Sequence, residues 1–365
     1  MPGVYIAYPF CRQKCTYCNF ASGPFSAALE DGYLRAVHAE IAAHDWRWRP
    51  QTLYLGGGTP SAIDPDRLER LLSLVPGRPW AEATLEASPG DIDPVKVARW
   101  KSAGIDRVSL GVQSFVAPEI ARTGRRHNAG IVQREVALLR EGGIANFNID
   151  LIAGLPGQTP ESWRQSLDWV ERLGAPHASV YMLEIDEDSR LGREILRGGS
   201  RYGAGEAPSE DLTVELYELA VQSLAHAGLY RYEISNFARP GSESAHNLKY
   251  WRLEPYAGFG ADAHSFDGEI RRRNVETVAE YVERFANGES PLAGSVPAIP
   301  SEERFFVGLR LAEGIRPLAG DWDRFDVPIR RFLNDRLLER EGDTLRLTPR
   351  GILLSNEVFG EFIHP

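Results

Sequence analysis

The chain has three cysteines, Cys11, Cys15 and Cys18, all within the eight residues Cys11-Arg12-Gln13-Lys14-Cys15-Thr16-Tyr17-Cys18. Three thiolates on one short loop can hold three irons of a [4Fe–4S] cubane and leave the fourth iron without a protein ligand. Clusters that only pass electrons are usually ligated by four cysteines at other spacings, and structural zinc closes its shell with four ligands. An open iron suits a substrate instead, and the amino and carboxylate groups of S-adenosylmethionine (SAM) can chelate it. The sulfonium then lies within reach of one-electron transfer, and its homolysis would give a 5′-deoxyadenosyl radical. Two plainer readings remain beside this one: three structural cysteines, or a zinc site completed by a histidine. An odd number of cysteines at one end of the chain excludes a disulfide framework.

Whatever these thiols hold has to be positioned by the elements around them. Short β-rich runs near Val4-Ile6, Thr52-Leu55, Thr84-Ala87, Arg107-Gly111, Phe147-Ile152 and Ser179-Leu183 alternate with amphipathic segments. Several of those segments open on a capping residue followed by proline, as at Asp64-Pro65, Asp93-Pro94 and Thr159-Pro160. Six β/α units in succession imply a parallel sheet with helical crossovers, a partial (β/α)6 version of the eight-unit barrel, whose function sits at the carboxyl ends of the strands. The polar and glycine-rich exceptions fall at those ends or close to them. The cysteines follow the first strand, Gly56-Gly57-Gly58-Thr59-Pro60 follows the second, Glu86 ends the third, Gln113 follows the fourth and Asp150 lies within the fifth.

The alternation stops after about Tyr232, and Asn236 to Gly268, rich in aromatic, Asn, His and Gly residues, reads as irregular connecting structure. From Ser301 the pattern becomes two helices, the second over Val327 to Glu339, a turn at Glu341-Gly342-Asp343-Thr344 between short strands, and a last helix from about Pro349. That order resembles a winged helix. The expected organisation is a core barrel over 1–232, a connecting region over 233–300 and a C-terminal winged-helix-like α+β domain over 301–365.

With 365 residues, 43% of them hydrophobic and 25% charged, the chain suits a globular protein able to bury a sizeable core. No window approaches the length of a membrane span and the first residues carry no leader pattern, so the expected location is the cytoplasm, with peripheral membrane association still compatible. A formal net charge of −10 argues against a general nucleic-acid binder. The mixed charges of the C-terminal segment, Arg330, Arg331 and Arg336 against Asp335, Glu339 and Glu341, offer no basic face to DNA.

These residues together resemble the radical SAM superfamily, and within it the branch that holds oxygen-independent coproporphyrinogen III oxidases and the related HemW heme chaperones. The resemblance spans nearly the whole chain, from Tyr5-Ile6-Ala7-Tyr8-Pro9-Phe10-Cys11 onward. It implies that Cys11, Cys15 and Cys18 ligate the cluster and that Tyr5 and Tyr17 flank SAM. It implies further that Gly57, Gly58 and Thr59 form the glycine motif approached by the SAM amino group. Glu86 would meet the SAM ribose or amino group, with Gln113, Arg125 and Asp150 as remaining polar contacts and Arg125 pairing with the SAM carboxylate.

Within the branch, three features favour the chaperones. The oxidase pattern has a further cysteine where this chain has Phe20, and only ten residues precede Cys11, where the oxidases have a long N-terminal segment. His246-Asn247-Leu248-Lys249-Tyr250-Trp251 matches the chaperones' HNxxYW motif, inside a longer match that includes Tyr232-Glu233-Ile234-Ser235-Asn236-Phe237-Ala238. A histidine can ligate heme iron, Tyr250 and Trp251 offer flat faces to a macrocycle, and Arg271-Arg272-Arg273 are candidates for the propionates. His246 is also read as a packed structural histidine with equal weight. Ala7 stands where the branch usually has histidine, which weakens the oxidase reading further. The implied partners are heme and an acceptor hemoprotein, and a homodimer is compatible. The alternative is a radical SAM enzyme acting on a tetrapyrrole, as an oxidase of coproporphyrinogen III or as a methyltransferase.

Overall fold

The computed structural model describes residues 1–363; the last two residues of the expected 301–365 domain lie outside that range. Six parallel strands carry the fold: β1 (Gly3–Tyr8), β2 (Thr52–Gly57), β3 (Glu82–Ala87), β4 (Arg107–Gln113), β5 (Asn146–Ala153) and β6 (His177–Met182). Each pairs with its successor in parallel register, Tyr5 opposite Tyr54 and Gly111 opposite Asp150 among the pairs. All six lie where the β-rich runs place them. The three proline-led helices start at the expected caps: Asp64 accepts from the amides of Asp66 and Arg67, Asp93 from Lys96, and Thr159 from Ser162 in a capping box. Each such cap contributes about 1 kcal/mol.

Along the strands one set of alternate residues faces the helices. Val4, Ile6, Leu53, Leu55, Leu85, Val108, Leu110, Phe147, Ile149 and Val180 are all buried there. The other set faces the lumen, which an ordinary eight-unit barrel fills with branched apolar side chains. Here it carries Tyr5, Tyr54, Glu86, Ser109, Asn148, Asp150, Ser179 and Tyr181, joined by hydrogen bonds such as Asn148 to Ser109 (2.7 Å) and Ser179 to Asn236 (2.7 Å). The lumen below the strand ends is therefore polar rather than filled with branched apolar side chains.

The reading of Asn236 to Gly268 as irregular is corrected. Those residues and the stretch after them form β8 (Asn236–Ala238), a helix over Ala245–Trp251, β9 (Tyr256–Phe259), β10 (His264–Phe266), β11 (Ile270–Asn274) and β12 (Leu292–Pro297), with β7 (Tyr230–Arg231) before them. β8 runs antiparallel to β6, and β9 adds a parallel strand on the far side of β1, giving a sheet in the order β12-β11-β10-β9-β1-β2-β3-β4-β5-β6-β8-β7. These strands are two to six residues long, and the two that join the barrel, β8 and β9, pair with β6 and β1, distant in sequence, so local periodicity hardly marks them.

The C-terminal segment carries three helices rather than two before the hairpin, over Pro300–Gly308, Ala319–Arg324 and Asp326–Asn334, then an antiparallel pair β13 (Leu338–Glu341) and β14 (Thr344–Leu347), and two short helices over Pro349–Leu353 and Ser355–Gly360 where one was expected. The helix expected to reach Glu339 stops at Asn334, and Arg336 turns the chain at φ 56° into β13. No helix among the described residues is long and apolar enough to cross a membrane.

Candidate functional site

The cysteine loop leaves β1 and is fixed at several points. The Cys11 amide donates to the Gly23 carbonyl (3.0 Å), Thr16 donates through its amide to Thr123 and through its hydroxyl to Arg122 (3.1 and 2.9 Å), and Gln13 donates to Gly124 (3.1 Å). Asn19 donates to Asp186 (2.9 Å), and the Leu191 amide donates to Thr16 (2.8 Å). All three thiols are free and half-buried. Burial pushes the Cys11 thiol up to about 11, with Cys15 and Cys18 adding to the rise, which records the three sulfurs as neighbours. Among the described residues no three His, Cys, Asp or Glu side chains converge on a single metal ion.

The glycine turn closes against the same loop. The Gly58 amide donates to the Tyr8 carbonyl (2.7 Å) and the Thr59 amide to the Phe10 carbonyl (2.8 Å), one residue before Cys11. Gly57 sits at φ 110°, where a side chain is strained, and its amide donates to Glu86 (3.1 Å). The Tyr54 hydroxyl donates to the other Glu86 oxygen (2.9 Å). Burial pushes the Glu86 carboxyl up to about 7, although both of these donors pull it down.

Arg125 follows the segment that holds the cysteine loop. Its guanidinium donates to the Gly111 carbonyl (2.6 Å) and stands 3.5 Å from the Tyr17 hydroxyl, while its buried Nε has no partner among the described residues. Burial opposes its charge, but the nearby Tyr17 and Cys15 hold its pKa above the ordinary arginine value. Gln113 ends β4 at φ 71°, a left-handed conformation unusual for a side-chain-bearing residue and a form of strain that clusters at functional sites. Asp150 accepts from Asn148 (2.6 Å) and Ser109 (3.2 Å), and burial raises its pKa. Tyr5 stacks on Tyr54 at 6.1 Å.

His246 is elsewhere. Its side chain meets Thr52, the first residue of β2, so it lies at the amino end of the barrel, while the cysteines lie at the carboxyl end. It is completely buried, with Nδ1 3.0 Å from the Thr52 hydroxyl and Nε2 2.8 Å from the Tyr250 hydroxyl and 2.9 Å from Lys249 Nζ. Both ring nitrogens are engaged within the protein, the geometry expected of a packed structural histidine. Trp251 lies under the Arg310 guanidinium at 4.4 Å. The arginine run lies on β11, where Arg271 pairs with Glu303 and Arg272 with Asp267, while Arg273 is exposed.

A model of the radical SAM superfamily matches residues 5–170. The Bacillus subtilis heme chaperone HemW is 33% identical across 100% of this chain and 99% of its own length, and that of Mycobacterium tuberculosis is 35% identical across 98% and 93%. The chain belongs to the HemW family of radical SAM proteins. Coproporphyrinogen III oxidase (HemN) from Escherichia coli, described as a radical SAM enzyme, shares the fold with a TM-score of 0.84 at 21% identity, over 100% of this chain and 90% of that one. Membership of the superfamily implies a [4Fe–4S] cluster and SAM, and the residues of this HemW family member fit both. Three free thiols supply a donor set one short of the cubane's four irons. Among the described residues, buried Arg125 pairs with no carboxylate and so suits an anionic group such as the SAM carboxylate.

Two side chains at the site were missed from the sequence, Tyr54 and Tyr181. Tyr54 alternates with Leu53 and Leu55 and Tyr181 follows Val180, so period-two reading of each strand would have pointed both at the lumen. An open cleft of ≈ 650 Å³ lined by Glu184, Ile185, Asp186, Glu187, Leu196 and Asn356 adjoins the cysteine loop through the Asn19–Asp186 bond. Ile185 and Leu196 expose apolar surface in the cleft, and Phe20 is exposed on the cysteine loop.

Proposed function

We propose that this chain is a heme chaperone of the HemW type, a cytoplasmic protein that binds a [4Fe–4S] cluster, SAM and heme and passes heme to an acceptor hemoprotein. The full-length relationship to HemW chaperones carries this reading. Beside it stands Phe20, a large exposed apolar side chain where the oxidases have their further cysteine. It leaves an apolar side chain on the cluster loop for a macrocycle to meet, and the neighbouring cleft adds the exposed Ile185 and Leu196. When bound, the cluster with SAM supplies one-electron chemistry. The chain's own residues do the rest: Cys11, Cys15 and Cys18 fix three irons, Arg125 and Glu86 orient the polar ends of SAM, Gly57 brings backbone close to it, and Gly58 lets the turn pack against the segment that leads into Cys11.

An anaerobic heme titration of cluster-reconstituted protein tests the proposal. Stoichiometric, saturable binding followed in the Soret band at low micromolar heme is the expected result; its absence overturns the chaperone reading. A second reading, turnover of a tetrapyrrole, is favoured by the polar lumen beneath the SAM residues. Formation of protoporphyrinogen and 5′-deoxyadenosine from coproporphyrinogen III, SAM and reductant would promote it.

Glu86 gives the SAM site a pH dependence. Its carboxyl titrates at about 7, so the ionised form that accepts from a ribose hydroxyl or an amino group is lost as the pH falls through that value. SAM affinity measured by equilibrium dialysis is expected to rise about tenfold from pH 6 to pH 8 and to flatten in Glu86→Gln.

A further inference from the structure

We infer that His246 is a positioning residue for SAM: it holds Tyr54, and through Tyr54 and Glu86 it steadies the amide of Gly57. The inference rests on the assignment of Glu86 and Gly57 to SAM. It gives the HNxxYW motif a task at the amino end of the barrel that needs no contact with heme iron.

The chain of contacts is short and continuous. The His246 imidazole lies against the Tyr54 ring at 5.2 Å between centroids, and Tyr5 stacks on Tyr54 at 6.1 Å, so the phenol is braced by two rings. Thr52, two residues earlier on the same face of β2, bonds His246 Nδ1 at 3.0 Å and fixes the imidazole beneath that phenol. The Tyr54 hydroxyl then donates to Glu86 Oε1 (2.9 Å), and Glu86 Oε2 accepts the Gly57 amide (3.1 Å). Gly56 leaves room for this arrangement, since a Cβ there would come within 2.9 Å of Tyr54 Cε1 and 3.0 Å of Glu86 Oε1.

The imidazole is itself held firmly. Nε2 faces two donors, the Tyr250 hydroxyl and Lys249 Nζ, so the hydrogen-bond network puts the ring proton on Nδ1, directed at Thr52. The helix that carries the motif is pinned from below by Glu82, whose carboxylate accepts from the Ser244 hydroxyl (3.1 Å) and the amides of Ala245 and His246 (both 2.9 Å). The lone pair an iron would need is already used, and no surface of His246 is open to solvent. The same rigidity suits a brace.

The test is SAM affinity, measured by equilibrium dialysis on cluster-reconstituted full-length protein, with heme titrations run in parallel. Tyr54→Phe keeps the ring but removes the donor to Glu86, and is expected to weaken SAM about tenfold with the melting temperature unchanged. His246→Ala is expected to weaken SAM to a similar degree while its Soret titration matches wild type. The double variant is expected to be little worse than either single one, because both act along one path. Loss of heme binding in His246→Ala with SAM affinity held within about twofold would overturn the inference. So would unchanged SAM affinity in Tyr54→Phe, which also decides the matter if His246→Ala does not fold. Wild type that binds SAM but no heme would remove the chaperone reading and leave this inference standing; wild type that binds no SAM would remove this inference with the SAM assignments.

Discussion

Replacing Cys15 with alanine is expected to abolish the iron–sulfur cluster: after anaerobic reconstitution, bound iron falls from about four per chain to near zero and the broad visible absorbance disappears. Cys11→Ala and Cys18→Ala are expected to behave alike. The chain contains no fourth cysteine to move into the vacancy, and Asn19 and Thr16 beside the thiols are already bonded to Asp186 and Arg122. Two thiolates cannot hold a cubane against solvent when a third corner is already left to a substrate. The fold should persist, because the loop caps strand ends and no cysteine belongs to the buried core. Iron and sulfide analysis beside a melting curve separates the two effects. A Cys15→Ala protein that keeps its full iron would show that the three thiols are structural. Phe20→Cys is the converse control: it supplies the thiol the oxidases carry and is expected to leave iron content as it is.

The six parallel strands were legible because each combines a short apolar run with a capped, proline-led helix or a glycine turn nearby, signals that need no knowledge of distant residues. The cluster loop was legible for a related reason, since its three ligands lie on one uninterrupted stretch of chain. The outer strands β9 to β12 were not. Tyr256-Ala257-Gly258-Phe259 has no strong period, and what makes it a strand is the free edge of β1, more than two hundred residues earlier. His246 shows a second kind of limit. Its motif names residue types able to ligate iron or stack on a macrocycle, but whether a side chain can reach a ligand depends on Thr52, Tyr54 and Glu82, which only the closed barrel brings alongside. Lys249 is the extreme case: a charged residue on paper, it lies fully buried over the Tyr250 ring at 3.5 Å, and burial pushes its pKa far below the ordinary lysine value.

The glycine turn shows where residue type and geometry meet. From the sequence, glycines at 57 and 58 leave room for a ligand. In the structure, the space beside Gly58 is already taken by the protein's own backbone: a Cβ there would come within 2.5 Å of the Phe10 carbonyl oxygen and 2.8 Å of the Tyr8 carbonyl oxygen. Both are main-chain atoms of the segment that leads into Cys11, so they cannot swing aside as a side chain would. Gly58→Ala is therefore expected to displace residues 8–10 and, with them, the first cluster ligand. The expected result is a drop in reconstituted iron together with a loss of SAM affinity of at least about fivefold, since overpacking of this kind costs about 1–3 kcal/mol before the lost ligand contacts are added. Gly56→Ala is the informative comparison. Its neighbours are the side chains of Tyr54 and Glu86, which can yield, so it should weaken SAM while leaving the iron content near wild type. Equal iron loss in the two variants would mean that the turn tolerates no side chain anywhere. Normal iron and normal SAM binding in Gly58→Ala would mean that Phe10 moves freely, and that the cluster loop is not fastened to the glycine turn as the hydrogen bonds from Gly58 and Thr59 indicate.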